Sequence, residues 1–282
     1  MQTGPLVSVL MTAYNREKFI AEAIESVLNS THKNFELIIV DDGSSDGTIE
    51  IIKKYSDKDE RIKFYLNDHN LGDYANRNKA AGYAKGWLMF YVDSDDTIES
   101  DAIAYVVRQF ELNPQAKFST IYYKPDITVV SVLNPEQSIR KNFYQHGFLN
   151  VGPGGTVIQT SYFKSIGGFP EKYGPVEDMY YNIKAASNTN VLLLPYQYHN
   201  YRRHNGQEYN NKFGYLCNGF CYIVDVMKLP ELPLSNEERN GILKLSARKH
   251  LRSFLQYLKA TGNVRTAVKA FRQSKLSLKY LF

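Results

Sequence analysis

The stretch "WLMFYVDSDDT", residues 87–97, joins six consecutive apolar or aromatic residues to three closely spaced aspartates. An uninterrupted apolar run of this length is typical of a strand that is buried on both faces of a sheet. The carboxylates of Asp93, Asp95 and Asp96 follow at once. Carboxylates so close together repel one another unless a cation or a shared proton offsets their charge. The stretch therefore predicts a polar site at the end of a central strand.

The segments on either side of this stretch alternate between strand and helix patterns. Apolar runs typical of strands occupy residues 6–11, 35–40, 62–66, 118–123 and 191–196. Helix patterns occupy residues 19–28, 46 or 48 to 55, 74–85, 100–112, 161–166 and 176–187. This order predicts an α/β fold, a Rossmann-like and mainly parallel sheet with helices on both faces. Residues 124–150 give mixed signals that permit no assignment.

Polar side chains follow three of these strands at the point where each strand ends. The residues concerned are Thr12, Ala13 and Tyr14 after the first strand, Asp41 and Asp42 after the second, and Asp93, Asp95 and Asp96 after the fourth. In open α/β sheets, ligands bind beyond the carboxyl ends of the strands. The sequence therefore predicts that these groups converge on one site.

The Asp93-Ser94-Asp95 tripeptide permits two interpretations. In an extended segment the side chains of Asp93 and Asp95 lie on the same side, where two hard oxygen ligands suit Mg²⁺ or Mn²⁺. Such ions complete their coordination with water and substrate phosphates. The alternative is that the aspartates only form turns and cap the next helix, because this tripeptide is common in loops.

The neighbouring residues add the other parts of a nucleotide site. Tyr14 can stack on a base, Asp41 or Asp42 can accept a hydrogen bond from a base, and Arg77 can approach a diphosphate. Each residue also has a simpler interpretation: Tyr14 packs, the two aspartates form a turn, and Arg77 is a solvated helix residue. Their common position at strand ends favours the functional interpretation.

The motifs in series resemble those of family-2 inverting glycosyltransferases of the GT-A fold. The stretches that carry the resemblance are "VSVLMTAYNREKFIAEAIESVL", "FELIIVDDGSSDGT", "NLGDYANRNKAAGYAKG", "YVDSDD", "GGTVIQTSYFKSIGGF" and "EDMYYNIKAA", which together cover residues 6 to about 205. The resemblance implies a GT-A catalytic domain at residues 1–210, with a nucleotide-sugar half at about 1–112 and an acceptor half at about 113–210. Residues 211–282 are then a basic helical extension.

The resemblance also implies a role for individual positions. Donor binding falls to Thr12, Ala13, Tyr14, Arg16, Asp41, Asp42, Arg77, Asp93 and Ser94. Asp95 is the expected direct metal ligand, with Asp93 nearer the ribose, and His204 lies where some members hold the metal or the diphosphate. Asp178 falls on the catalytic base, with Glu177 as its neighbour.

The implied activity is that of a hexosyltransferase that is metal-dependent, with Mn²⁺ or Mg²⁺, and that inverts the anomeric carbon. The expected donor is a nucleoside-diphosphate sugar, with a UDP-sugar favoured, and the expected acceptor is a glycan or a lipid-linked molecule in cell-surface polysaccharide synthesis. The alternative is a non-catalytic nucleotide-sugar-binding module. A dinucleotide-dependent oxidoreductase is disfavoured because "MTAYNRE" stands where a glycine-rich turn would be required.

The carboxyl-terminal region differs in charge from the rest of the chain. Residues 235–282 hold 11 Lys/Arg and 2 Asp/Glu, whereas residues 1–234 hold 23 and 27. Apolar residues at helical spacing predict two helices, with Leu243, Ala247, Leu251, Phe254, Leu255 and Leu258 on the first and Val264, Val268, Phe271 and Leu278 on the second. These helices either pack on the catalytic domain or anchor the protein on an anionic membrane. No recognition motif accompanies the charge, so nucleic acid is not an expected partner.

The remaining features of the sequence predict a cytoplasmic location, with peripheral attachment to the inner face of the membrane if the tail is an anchor. The chain begins without the features of a signal peptide and has no apolar stretch of about 20 residues. Its two cysteines, Cys217 and Cys221, are four residues apart, which suits reduced thiols on one helical face.

Overall fold

The computed structural model describes residues 4–124, 127–204, 207 and 211–280, with the side chain of Leu278 excepted. The chain divides into two compact units whose segments alternate along the sequence. The sheet unit comprises residues 1–134, 151–169 and 189–202, and the helical unit comprises residues 135–150, 170–188 and 203–282. This grouping follows compactness alone, so the predicted boundary between residues 210 and 211 stays a prediction.

The sheet unit is built on one large sheet and one small sheet. Within the described residues, the large sheet has eight strands in the order β3-β2-β1-β4-β8-β6-β9-β7, and the small sheet pairs β5 with β10. The strands are β1 Val7–Ala13, β2 Phe35–Asp41, β3 Ile62–Leu66, β4 Leu88–Tyr91, β5 Thr97–Ile98, β6 Ala116–Ile121, β7 Ser131–Leu133, β8 Thr156–Gln159, β9 Asn190–Leu194 and β10 His199–Asn200. Strands β3, β2, β1 and β4 are parallel neighbours, as are β6 and β9. Strands β7 and β8 run antiparallel to their neighbours.

Helices occur in both units. Those of the sheet unit are α1 Ile20–Leu28, α2 Thr48–Ser56, α3 Asp73–Tyr83, α4 Ala102–Leu112 and α6 Thr160–Ile166. Those of the helical unit are α5 Pro135–Tyr144, α7 Glu177–Ala186, α8 Lys212–Asn218, α9 Cys221–Val226, α10 Asn236–Thr261 and α11 Val264–Gln273. None of the helices in the described part of the chain has the length and apolar character needed to cross a membrane.

Burial explains why the strand predictions succeed. Strand β1 lies between β2 and β4 in the sheet, and every one of its residues is buried. Helix α1 buries Ile20, Ala23, Ile24 and Val27, which are spaced along one face of the helix. The α/β fold, the mainly parallel sheet and the helical carboxyl-terminal region are therefore confirmed.

Two predictions about the helical unit are wrong in detail. Cys217 and Cys221 do not share one helix: Cys217 lies in α8 and Cys221 begins α9, and both are free, buried thiols. The second prediction concerns Leu278, which lies beyond the end of α11 in the 3₁₀ segment Leu278–Tyr280. Of the other residues predicted on this helix, Val264, Val268 and Phe271 are exposed, and the buried residues of α11 are Ala267 and Ala270. On α10, Leu255 is likewise exposed, although Ala247 and Phe254 of its predicted stripe are buried. The side chain of Leu278 lies outside the described part of the chain.

A close approach of backbone segments gives a test of the sheet. A Cβ atom at Gly86 would lie 2.4 Å from the backbone nitrogen of Ser8 and 2.8 Å from the carbonyl oxygen of Leu6. Because backbone atoms of the β1 segment cannot move without disturbing the sheet, Gly86→Ala should lower the free energy of unfolding by about 2 kcal/mol. Gly82→Ala is the matched control, since a Cβ atom there meets nothing within 4 Å and α3 favours alanine by about 0.5–1 kcal/mol. Urea denaturation of both variants measures the difference, and equal stabilities would contradict the prediction.

Candidate functional site

Asp41 and Asp42, at the end of β2, are both buried and both organise loops. The Asp41 carboxylate accepts hydrogen bonds from the backbone N–H groups of Gly43 at 3.1 Å and Ser44 at 2.8 Å, and from the Ser44 hydroxyl at 2.6 Å. The Asp42 carboxylate accepts from the backbone N–H groups of Leu71 at 2.8 Å and Gly72 at 2.9 Å. Asp41 thus forms the turn that follows its strand, and Asp42 fixes the loop that leads into α3. Their predicted contact with a base stays a prediction.

Arg77 on α3 brings the neighbouring carboxylates into one ion-pair network. Its Nη1 lies 2.6 Å from Oδ1 of Asp93, and its Nε lies 2.8 Å from Oδ1 of Asp73. Burial alone lowers the pKa of the guanidinium, but Asp73 and Asp93 raise it well above its usual value. Burial likewise raises the pKa of Asp93, but Arg77, together with His199 and Arg16, more than offsets this effect, so the pKa of Asp93 lies below its usual value. Arg77 is therefore a buried cation that keeps Asp93 ionised, and not a solvated helix residue.

Arg16 makes the corresponding contact with Asp95. Its Nε lies 3.1 Å from Oδ2 of Asp95, and its Nη1 donates to the carbonyl oxygen of Tyr14 at 2.9 Å. Between the two aspartates, the Ser94 hydroxyl donates to the carbonyl oxygen of Thr12 at 2.7 Å. These contacts join the end of β4 to the end of β1. Thr12 and Ala13 are buried there, whereas the ring of Tyr14 is exposed.

Asp96 connects the aspartate cluster to a segment more than 100 positions away, a link that the sequence did not reveal. Its carboxylate accepts a hydrogen bond from the backbone N–H of Arg202 at 2.9 Å and lies 2.8 Å from Nε2 of His199. The Arg202 side chain donates to the carbonyl oxygen of Asp95 and also pairs with Glu22. Burial raises the pKa of Asp96, and the hydrogen bond with His199 offsets this only in part. Strands β5 and β10 pair beside these contacts, so Asp96, His199 and Arg202 fix the loop that carries Asp95.

The helical unit holds the remaining predicted residues, Glu177, Asp178 and His204. Glu177 is buried, and its Oε1 accepts from the backbone N–H groups of Tyr173 and Gly174. Burial raises the pKa of Glu177 despite these hydrogen bonds. Asp178 is half-buried in the first turn of α7, and His204 donates its backbone N–H to Gln207 at 3.0 Å. Their roles as base, neighbour and metal ligand stay predictions.

Tyr222 is an additional residue near Asp178, and no feature of the sequence singles it out. It lies buried on α9, where burial and then the charge of Asp178 raise the pKa of its hydroxyl. The hydroxyl therefore stays protonated near neutral pH. No spacing rule connects α7 with α9, so only the folded helical unit reveals this proximity.

The carboxylates at the end of β4 match the ligand preferences of a hard divalent cation. Asp93 and Asp95 provide oxygen atoms, and Mg²⁺ or Mn²⁺ typically takes one or two carboxylates together with water and phosphate oxygens. Over the described residues, no group of three or more His, Cys, Asp or Glu side chains is arranged to hold a metal ion. The two aspartates therefore fit a metal whose coordination is completed by a ligand, not an ion caged by protein alone.

The sequence of the chain matches the model of "Glycosyl transferase family 2" over residues 8–167, which is more than half of its length. The chain belongs to glycosyl transferase family 2. One relative is the "putative teichuronic acid biosynthesis glycosyltransferase TuaG" of Bacillus subtilis, 41% identical over 99 residues, or 35% of this chain and 39% of the relative. This chain spans 35% to 66% of the length of the first curated relatives that it matches.

Solved structures resemble the whole chain at low sequence identity. S. aureus TarS residues 1–349, in complex with UDP-GlcNAc, has a TM-score of 0.75 at 20% identity and covers 97% of this chain and 82% of that chain. The mannosyltransferase PcManGT from Pyrobaculum calidifontis, in complex with GDP-Man and Mn²⁺, has a TM-score of 0.66 at 15% identity and covers 99% of this chain and 83% of that chain. Identities this low establish a shared fold only. The predicted family and the predicted GT-A fold are both confirmed.

The buried ion pairs of Arg77 give a test of the site's construction. Arg77→Met removes the cation that pairs with both Asp73 and Asp93 and leaves two neighbouring carboxylates without it. Because Asp93 is largely buried, the free energy of unfolding should fall by about 3 kcal/mol. The side chains of Arg77 and Asp93 are 8% and 23% exposed. Arg140→Met is the matched control, because Arg140 also pairs with two carboxylates, Glu136 and Glu238, but its side chain is 46% exposed. That control should lose less than about 1 kcal/mol in the same urea titration. Equal losses in the two variants would show that the Arg77 network contributes no more than a surface ion pair.

Proposed function

We propose that this chain is an inverting, metal-dependent glycosyltransferase that moves a hexose from a nucleoside-diphosphate sugar to an acceptor hydroxyl. The observation that carries the proposal is the pair Asp93 and Asp95 at the end of β4, each held by an arginine, in a member of glycosyl transferase family 2. A UDP-sugar is the favoured donor, since a structure of the same fold is a complex with UDP-GlcNAc. A glycan or lipid-linked acceptor in cell-surface polysaccharide synthesis agrees with the name of the relative TuaG.

Donor binding falls to the edge of the sheet where β1, β2 and β4 end. The exposed ring of Tyr14 is available to stack on the base, and Asp41 or Asp42 accepts a hydrogen bond from it. Thr12, Ala13 and Ser94 shape the backbone on which the ribose rests, with Asp93 on the ribose side. Arg16 and Arg77 add positive charge close to the position of the diphosphate. Charge-assisted contacts of this kind favour a sugar that carries a diphosphate over a sugar without charge.

The metal would be held by Asp95 directly, with oxygen atoms of the donor as further ligands. Mn²⁺ or Mg²⁺ bound there would neutralise the charge that develops on the departing nucleoside diphosphate. Asp96, His199 and Arg202 contribute indirectly, because their hydrogen bonds fix the backbone of the Asp95 loop. The presence of Mn²⁺ in the PcManGT complex supports this assignment.

Asp178 is the proposed catalytic base. It takes the proton of the acceptor hydroxyl, whose oxygen forms a bond to the anomeric carbon as the bond from that carbon to the diphosphate oxygen breaks. The electron pair of the broken bond leaves with the diphosphate, and the single displacement inverts the anomeric configuration. Glu177 is a positioning residue, since its carboxylate binds the backbone of residues 173 and 174 just before α7 and so holds the first turn of that helix.

Replacement of the base tests the transferase activity. Asp178→Asn should reduce the release of UDP from a UDP-sugar, in the presence of Mn²⁺, at least about 100-fold, because the asparagine amide cannot accept the proton. The KM for the donor should change little, since asparagine has nearly the size of aspartate and the proposed donor contacts are made by other residues. Asp57→Asn, an exposed position that follows α2, is the matched control and should retain full activity. If the wild-type chain binds donors but neither transfers nor hydrolyses any of them, it is a nucleotide-sugar-binding module and the proposal is wrong.

The metal assignment is tested separately by binding. UDP and Mn²⁺ added together should raise the melting temperature of the wild-type chain, since a ligand at 100 times its Kd stabilises the folded state by about 2.7 kcal/mol. Asp95→Asn should lose the part of this shift that depends on Mn²⁺, whereas Asp57→Asn should keep it. A Mn²⁺-dependent shift of unchanged size in Asp95→Asn would remove Asp95 from the metal site.

A further inference from the structure

The second of the two carboxyl-terminal helices leaves an apolar stripe exposed. Val264, Val268 and Phe271 are spaced by four and three residues, which puts them on one side of α11. They are 61%, 43% and 43% exposed. Apolar side chains in a contiguous row at the surface indicate a contact with another apolar phase more often than isolated ones do.

The stripe is not the face by which α11 packs within the helical unit. That face consists of Ala267 and Ala270, which are buried against the cluster that includes Phe254 and Leu216. Small alanine side chains let two helices approach closely, so packing is satisfied without the larger residues. The sequence left open whether the tail helices only pack or also bind a membrane. The ring of Phe271 touches the buried ring of Phe254, but Val264, Val268 and Phe271 all keep a large exposed fraction, so the stripe still presents apolar surface to a partner.

Cations line the other side of the stripe. Arg265, Lys269 and Arg272 are exposed on α11 and follow one another at helical spacing. On α10, the exposed residues Lys244, Arg248, Arg252 and Lys259 recur at helical spacing on the side of the helix that carries Leu255, which is 58% exposed. The rings of Phe254 and Phe271, 5.6 Å apart, join the two helices, so both sets of cations belong to one packed pair. From residue 239 to residue 282 the chain has 11 Lys/Arg and no Asp or Glu.

We propose that this face, defined by Val264, Val268 and Phe271 of α11 with Arg265, Lys269 and Arg272 beside them, binds the surface of an anionic lipid bilayer. An apolar row next to a cationic row is the pattern of helices that lie in the membrane interface, with apolar side chains among the acyl chains and cations at the headgroups. Helix α11 has 10 residues, a length of about 15 Å, so it lies on the bilayer and does not cross it.

The same observations disfavour other occupants of this face. A symmetric contact between two copies would place the same patch on both sides and so oppose cations to cations. Nucleic acid would use the charge but would leave the exposed apolar row without a partner. Of these three occupants, an anionic lipid surface is the one that matches both parts of the face. The inference does not depend on the proposed reaction, although it would hold the chain at the surface where a lipid-linked acceptor resides.

Vesicle binding tests the inference with the full chain. In co-sedimentation, the chain should bind vesicles of phosphatidylglycerol and phosphatidylcholine at least about tenfold more tightly than vesicles of phosphatidylcholine alone, because each cation near an anionic surface contributes. Binding should weaken strongly in 0.5 M NaCl, where charges are screened over a few ångströms. Absence of binding to the anionic vesicles, or equal binding to both kinds, would overturn the inference.

Paired variants separate the two parts of the face. Arg265→Gln with Arg272→Gln should weaken binding about 30-fold, and Val268→Ser with Phe271→Ser should weaken it about tenfold. The controls are Lys53→Gln with Lys54→Gln, two exposed cations of α2, and Leu112→Ser, an exposed apolar residue at the end of α4. These controls should bind as the wild type does, and circular dichroism and melting temperature establish that all variants are folded.

Three results would contradict the assignment. Equal loss of binding in the control variants would show a general charge effect. Unchanged binding in both α11 variants would show that another surface holds the lipid. A wild-type chain that dimerises in solution, and becomes monomeric with Val268→Ser and Phe271→Ser, would show that the stripe is a subunit interface.

Discussion

The site depends on the guanidinium group of Arg77, which lies buried between Asp73 and Asp93. Carboxylates at the end of a core strand repel one another and lose hydration, and either effect would favour their neutral form. The pKa of Asp93 nevertheless lies below its usual value, because Arg77, with smaller contributions from His199 and Arg16, more than offsets its burial. The rigid strand β4 and the helix α3 hold these groups at fixed positions. Part of the negative charge of the aspartates is therefore balanced by arginines of the chain itself, without any ligand.

The other contacts of the cluster distribute this constraint over distant parts of the chain. Asp95 pairs with Arg16 after β1, and Asp96 is bound by His199 and by the backbone of Arg202. Asp42, in turn, fixes the loop before α3, the helix that carries Arg77. A substitution in any one of these elements would therefore change the positions of several carboxylates together. Such coupling suits the proposed function, in which a diphosphate and a cation would bind close together.

The sequence predicted the elements with a continuous or regularly spaced set of buried apolar residues and missed those without one. Strands β1, β2 and β4 were recognisable because nearly all of their residues are buried, which gives long and mainly apolar runs. Helix α5 was not, since two of its three buried residues, Ser138 and Asn142, are polar. The three residues of β7 at the edge of the sheet are too few, and too exposed, to show a period. On α11 the apolar spacing identified a helix, but no pattern could indicate that alanines would pack and larger residues would not.

For the site, the chain order predicted which residues gather at the strand ends, because parallel strands bring their carboxyl ends to one edge. It did not predict the partners of those residues. The contacts of Asp95 with Arg16, and of Asp96 with His199, join positions 79 and 103 residues apart. Their distances depend on the loops and the small β5–β10 sheet, whose two-residue strands carry no signal in the sequence.

The position of β9 has a consequence for how the chain can be divided. This strand, residues 190–194, lies between β6 and β7 in the sheet order and is the strand with which β7 pairs among the described residues. A fragment that stops at residue 167, where the family match ends, would lack it. In that fragment β6 would expose an unpaired edge, and open edges template aggregation. A nascent chain also lacks β9 while it is being made. Strand β7 therefore cannot pair into the sheet until residue 194 has left the ribosome.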